Sequence, residues 1–268
     1  MSSPLDLSGV GAGHEAAPND VPAIAVTGAT KRFGGVLALD AVDLAVRRGE
    51  VVAILGDNGA GKSTLIKAMS GAFRLDEGTI EMDGAPIVLH SPGDARRLGI
   101  ETVYQDLALF DNLGAVDNFY AGREVAGPSW MPRGFRWLRR STMAAETRRL
   151  LDRLQVTLPD LDTPVGLMSG GQRQAVAVAR AAAFASKVVI LDEPTAALGL
   201  RESRRVLDLI ARLRTEGLAV LVISHALDHV IEIADRAVVM RRGRVVGEAV
   251  PNQENRQRIV SLIVGGEG

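Results

Sequence analysis

The chain has 268 residues, nearly half of them apolar, enough for one sizeable α/β core with an inserted subdomain. Its 31 basic and 32 acidic residues leave a formal net charge of −1, which gives no nucleic-acid footprint. The absence of cysteine excludes disulfides and thiolate metal sites and is compatible with a reducing cytoplasm.

Residues 1–20 are rich in Ser, Gly, Pro and Ala. They lack the basic start and apolar run of a secretory signal, and a disordered leader is expected. Residues 21–268 then form the folded domain. Ile24 to Val46 predicts short strands around a loop at Gly34-Gly35. Val51 to Leu55 is wholly apolar, as a buried parallel strand requires. A glycine-rich loop follows, and Lys62 to Ser70 predicts a helix. Thr79 to Met82 and Ile100 to Tyr104 are further short strands. From about 105 to 185 the character turns helical, with Met143, Leu150, Leu151 and Leu154 spaced for one apolar face. Val188 to Leu191 and Leu218 to Ile223 return to buried strands, with a helix over Leu200 to Thr215 between them. Val238 to Met240 and Val245 to Gly247 flank a turn at Arg242-Gly243. A last helix is expected over Asn252 to Val264. No segment reads as membrane-spanning. The most apolar one, Ala175 to Leu191, carries Arg180 and Lys187 and runs into Asp192 and Glu193.

Three stretches carry chemistry. In GDNGAGKST, Gly56 to Thr64, the small residues Gly56, Gly59, Ala60 and Gly61, with Asp57 and Asn58, let backbone amides close around phosphate at the start of a helix. Lys62 adds a point charge for the outer phosphates, and Ser63 offers a hydroxyl to Mg²⁺. Asp192 and Glu193 stand at a strand end, where two adjacent carboxylates are costly to bury without a cation. Asp192 is placed to hold Mg²⁺ through water, and Glu193 to polarise an attacking water. In Ser169-Gly170-Gly171-Gln172 the amides of a helix start again favour an anion, although the same four residues read alone are an ordinary serine cap.

The order of these motifs resembles the ATP-binding cassette (ABC) ATPases over roughly Ile24 to Val264. The resemblance implies a P-loop NTPase core of mainly parallel strands, an N-terminal antiparallel β subdomain and an inserted α-helical subdomain at about 105–185. It implies ATP and Mg²⁺ as cofactors and a homodimer in which Ser169–Gln172 caps the nucleotide held by the partner subunit. The usual leucine before that turn is Met168 here. Three single residues follow from the same resemblance. Gln105 is expected at Mg²⁺ and the attacking water, His225 at the γ-phosphate, and Phe33 on the adenine, where stacking is worth roughly 1–3 kcal/mol.

The pieces VYQDLALFDNLGAVDNFYAGRE and EPTAALGLRES are most similar to carbohydrate importers of the single-cassette, fructose type. An ATPase on the cytoplasmic face of the membrane, docked peripherally on a permease and served by an outer solute-binding protein, is therefore implied. An importer of another solute, such as branched-chain amino acids, is the alternative. A soluble ABC ATPase of ribosomes or DNA fits less well, because no second cassette, charged linker or long coiled coil is present. Where the family usually reads SALD this chain reads Ala196-Ala197-Leu198-Gly199. The Asp that links the two sites across the dimer is missing. The segment WMPRGFRWLRR, Trp130 to Arg140, admits contact with a permease or lipid headgroups, but a solvated basic loop explains it more simply.

Overall fold

The structure, a computed structural model, describes residues 21–127 and 137–265. The expected leader at 1–20 lies outside them. β1 (Ile24–Phe33) and β2 (Val36–Val46) form an antiparallel hairpin through Gly34-Gly35, longer than the short strands expected. β4 (Glu77–Met82) pairs on the other side of β1, and the edge strand β5 (Ala85–Ile87) completes the sheet. Pro86 fits an edge, where no ladder donor is needed.

The second sheet holds β3 (Val51–Leu55), β6 (Ile100–Val103), β7 (Val188–Asp192), β8 (Ala219–Ile223), β9 (Arg236–Arg241) and β10 (Arg244–Ala249) in the order β10-β9-β3-β8-β7-β6. All its pairings are parallel except the β9–β10 hairpin. Every residue of β3 and β8 is buried, as their apolar runs require. Val52 and Ile54 face a core shared with the antiparallel sheet and with α1 (Lys62–Met69), while Val51 faces the helical side. The layers are those the resemblance implies.

Between β6 and β7 the chain forms α3 (Ala115–Tyr120), α4 (Arg140–Arg153) and α5 (Gly170–Phe184). Met143 and Leu151 of α4 are buried together with Leu154, as their spacing predicts, whereas Leu150 is only half-buried. This stretch is not continuously helical, since only a single 3₁₀ turn, Val165–Leu167, interrupts the loop between α4 and α5. α6 (Leu200–Thr215) has the predicted bounds. Two short helices, α2 (Pro92–Arg97) and α7 (Leu227–Ile233), were not anticipated. α8 (Arg256–Val264) begins later than predicted, because Asn252 Oδ1 accepts from the Asn255 amide at 2.8 Å and closes a turn instead.

Most of the tryptophan-arginine segment, residues 130–136, lies outside the described residues. Arg140 at its end donates to Asp117 and Asp162, at 3.0 and 2.7 Å, so it is bonded within the chain. Among the described residues no helix is long and apolar enough to cross a membrane.

Candidate functional site

The glycine loop leaves the end of β3 and turns into α1. Gly56 and Gly61 both have left-handed backbones, with φ of 143° and 105°. Sterics demand glycine as well. A Cβ at 56 would run into the carbonyl oxygen of Met240, and one at 61 would stand 2.7 Å from the carbonyl oxygen of Ala38. The loop is thereby seated between β2 and β9. α1 starts at Gly61 without a side-chain cap, so the amides of its first turn remain for a ligand. Lys62 is buried and donates its ammonium to the carbonyls of Gly56 and Asp57, at 2.6 and 2.9 Å. Burial pushes its pKa below the ordinary lysine value, and Glu193, Asp192 and Asp57 pull it back up.

Asp192 ends β7, next to the centre of the sheet. Glu193 follows with a left-handed backbone, φ 52°, yet its amide still pairs with the Ile223 carbonyl at 3.0 Å. A non-glycine residue held there stores strain and has its side chain aimed by the backbone. His225 Nε2 lies 3.0 Å from Glu193 Oε1, within ion-pair distance. The contact lacks hydrogen-bond alignment, so this buried carboxylate oxygen has no hydrogen-bond partner. Burial raises the pKa of both carboxyls. The Lys62 charge opposes this at Asp192, and the His225 charge opposes it at Glu193.

These shifts have a sign for stability. A carboxyl whose folded pKa is raised makes the folded state bind more protons than the unfolded one between the two pKa values. Its charge therefore costs stability above the folded pKa, and the cost vanishes as pH falls below the unfolded value. Asp192→Asn is expected to raise the melting temperature of the nucleotide-free protein near neutral pH by roughly 2–5 °C. The gain should disappear below about pH 4. Thermal melts across pH check both halves, and a gain that grew as pH fell would contradict the burial account.

Gln105 stands in an exposed turn just after β6. It lines one cleft of about 440 Å³ together with Gly59, Ala60, Lys62, Ser63, Thr64, Asp192, Glu193 and His225. Arg180, which the motif reading passed over, reaches from α5 and donates to the carbonyls of Leu107 and Ala108, at 2.9 and 2.8 Å. Both carbonyls belong to residues with left-handed backbones. Arg180 thus braces the turn that carries Gln105. The signal available in the sequence was one arginine in the middle of a helix of small apolar residues. Arg242, at the β9–β10 turn, also lines the cleft, and the amide of Gly243 beside it binds the Ala60 carbonyl at 2.9 Å. Phe33 ends β1, is 48% exposed and meets Phe73 edge-to-face at 5.3 Å. It does not line the cleft, although Val36, Leu37 and Ala38 of the same hairpin do.

Ser169–Gln172 lies apart from this cleft and borders another, between α5, α6 and the loop after α4. The serine is a cap after all. Its side chain accepts from the Gln172 amide at 3.2 Å, and the Gln172 side chain accepts from the Ser169 amide at 2.9 Å. Gly199 starts α6 with φ −70° and ψ 166°, a backbone open to any residue.

The family model described as ABC transporter matches residues 39–196. The fructose import ATP-binding protein FrcA of Rhizobium meliloti is 49% identical over 91% of this chain and 94% of its own length. The xylose/arabinose import ATP-binding protein XylG of Sulfolobus acidocaldarius is 46% identical over 87% of this chain and 90% of its own. The ribose import ATP-binding protein RbsA 1 of Rubrobacter xylanophilus is 44% identical over 91% of this chain, which spans only 47% of that protein. Among solved structures, a nucleotide-free ATP-binding cassette from an ABC transporter superposes with a TM-score of 0.77 at 26% identity, covering 91% of this chain and 97% of its own. The cleft, the fold and these relatives agree, and the chain belongs to the ABC transporter family of ATP-binding proteins.

Proposed function

We propose that this protein is the ATP-hydrolysing subunit that energises import of a sugar through a partner membrane permease. Residues 21–268 form the ATPase domain, with 105–185 as its inserted helical subdomain. The observation that carries the reading is the convergence of Lys62, Asp192, Glu193, His225 and Gln105 on one cleft at the carboxyl ends of parallel strands. The sugar assignment rests on the relatives, whose names are of fructose, xylose/arabinose and ribose import proteins.

Residues 56–64 hold the phosphates of ATP through backbone amides and the Lys62 charge. Ser63, Gln105 and Asp192 hold Mg²⁺. The buried Glu193 oxygen without a hydrogen bond and the Asp192 carboxyl, raised by burial, make a setting that suits a cation. Among the described residues no group of three or more His, Asp or Glu is arranged to hold a metal ion by itself. Mg²⁺ supplies neutralisation of phosphate charge. Glu193 takes the proton of the attacking water, and His225 reaches the γ-phosphate side of the same cleft. Phe33 stacks on the adenine from the hairpin that lends Val36, Leu37 and Ala38 to the cleft, its own ring standing outside it.

The separation of Ser169–Gln172 from the cleft supports a homodimer in which this turn faces the nucleotide of the partner subunit. Ser169→Ala is expected to lower hydrolysis about tenfold or more, as loss of a transition-state contact does. Binding of mant-labelled ATP to the monomer should not change. Ser169→Asn keeps a helix cap and is expected to lose hydrolysis too, which separates the contact from the cap. A fall in monomer affinity would put the turn in its own subunit's site.

The subunit works at the cytoplasmic face of the membrane, bound peripherally to its permease and fed by an outer solute-binding protein. The test of the whole reading is uptake of labelled fructose, xylose and ribose by cells lacking this chain. Loss of uptake of one sugar, restored by the wild type and not by Glu193→Gln, is the expected result. Intact sugar uptake with impaired branched-chain amino acid uptake would overturn the sugar assignment and leave the ATPase assignment standing.

A further inference from the structure

The loops that carry Glu193 and His225 are joined at two levels. At the strand ends the Glu193 amide continues the β7–β8 pairing, donating to the Ile223 carbonyl at 3.0 Å. Further out, the Thr195 hydroxyl lies 3.0 Å from His229 Nδ1, within hydrogen-bond distance. Thr195 stands two residues after Glu193, and His229 four residues after His225, in the first turn of α7. Neither residue lines the nucleotide cleft.

The outer bond falls where the chain needs holding. Glu193 has φ 52° and precedes Pro194. A non-glycine residue avoids positive φ, and a residue before proline favours extended backbone, so this conformation opposes two local preferences. It lasts only where the surroundings over-determine it. The Ile223 bond holds the upstream side. Downstream, the Ala196 amide closes a turn on the Glu193 carbonyl at 3.1 Å, and Ala197 is left-handed in its turn, φ 57°. Thr195 lies inside that turn and is buried, and among the described residues its hydroxyl has no hydrogen-bond partner besides His229. Both partners border a cavity of about 10 Å³ lined also by Ala53, Leu207, Val222 and Val230. A hydroxyl deprived of its partner in these apolar surroundings is left unpaired, and the loss falls on the turn. α7 is itself anchored, since Val230 and Ile233 are buried and Glu232 pairs with Arg204 of α6.

We propose that His229 is a positioning residue for hydrolysis. Through Thr195 it pins the turn that follows Glu193, and so holds the Glu193 carboxylate in the cleft beside His225. This rests on the reading of Glu193 as the general base.

The test is hydrolysis by the full-length chain with saturating MgATP. His229→Ala is expected to lower the rate about tenfold, with binding of mant-labelled ATP held within about twofold. Thr195→Val keeps the shape without the hydroxyl and should lose as much. The two together should be no slower than the slower single by more than about twofold, as partners in one contact are. Asparagine offers both a donor and an acceptor near the place of Nδ1, so His229→Asn should return to within about threefold of wild type whichever ring nitrogen carries the proton. In Thr195→Val/His229→Asn that return should vanish. In the Glu193→Gln background His229→Ala should cost no further rate, because it acts through the base. The proposal is overturned if Thr195→Val keeps the full rate, if His229→Asn is as slow as His229→Ala, if the double variant is as slow as the product of the singles, or if His229→Ala slows Glu193→Gln again about tenfold. Should His229→Ala fail to fold, Thr195→Val and the two asparagine variants carry the same test. Wild-type turnover by Glu193→Gln alone would sink the reading of the base, a failure distinct from any of these.

Discussion

Glu193→Gln is expected to keep ATP binding and lose hydrolysis by about 10²-fold or more, the scale for removing a positioned general base. The side chain is nearly isosteric, so the left-handed backbone at 193 and its bond to Ile223 remain. What disappears is the basicity of a buried oxygen that no hydrogen bond occupies. Burial raises the carboxyl above its ordinary value, which makes it a better base than a solvated glutamate. The stalled variant should accumulate as an ATP-bound dimer, visible by light scattering of the assembled complex. A variant that turns over at the wild-type rate would move the base elsewhere in the cleft.

Lys62→Ala is expected to abolish useful ATP binding. Removing one partner of a desolvated charge pair costs about 2–5 kcal/mol, or roughly 30-fold to several thousand-fold in affinity. The ammonium also ties down the loop, because it bridges the carbonyls of Gly56 and Asp57. The variant therefore loses a charge and a fastening together. Titration with mant-labelled ATP measures the loss, and near-normal affinity would remove Lys62 from its assigned role.

Much of this molecule was legible in the sequence wherever local chemistry decides structure. Val51–Leu55 and Ala219–Ile223 are wholly apolar and are wholly buried strands. The glycine loop reads directly, because its spacing answers to the size of a phosphate. The short elements were less legible. α7 has seven residues, too few for a periodic face to stand out. α2 could have been read from Ser91 and Pro92, a cap and a first-turn proline. Asn252 belongs to a turn because its own side chain competes with the helix. Contacts between distant residues were not legible at all. Nothing in the spacing tells that Glu202 fills the room over Gly171, or that Arg180 reaches the carbonyls of Leu107 and Ala108. The first needs α5 and α6 packed side by side, and the second needs α5 laid beside β6.

Arg180 lies 11 residues along from Ser169, so α5 separates its grip on the Gln105 turn from the serine cap by about 16 Å of straight helix. A helix of this kind is stiff along its axis. The two ends are then fastened to opposite ends of one strut. A push on the Gln105 turn must either break two hydrogen bonds to a half-buried guanidinium or carry the serine end with it. Breaking them would leave both carbonyls of that turn without this partner. The same sequence segment that looks like an inert run of alanine and valine is, mechanically, the connecting rod between two surfaces of the molecule.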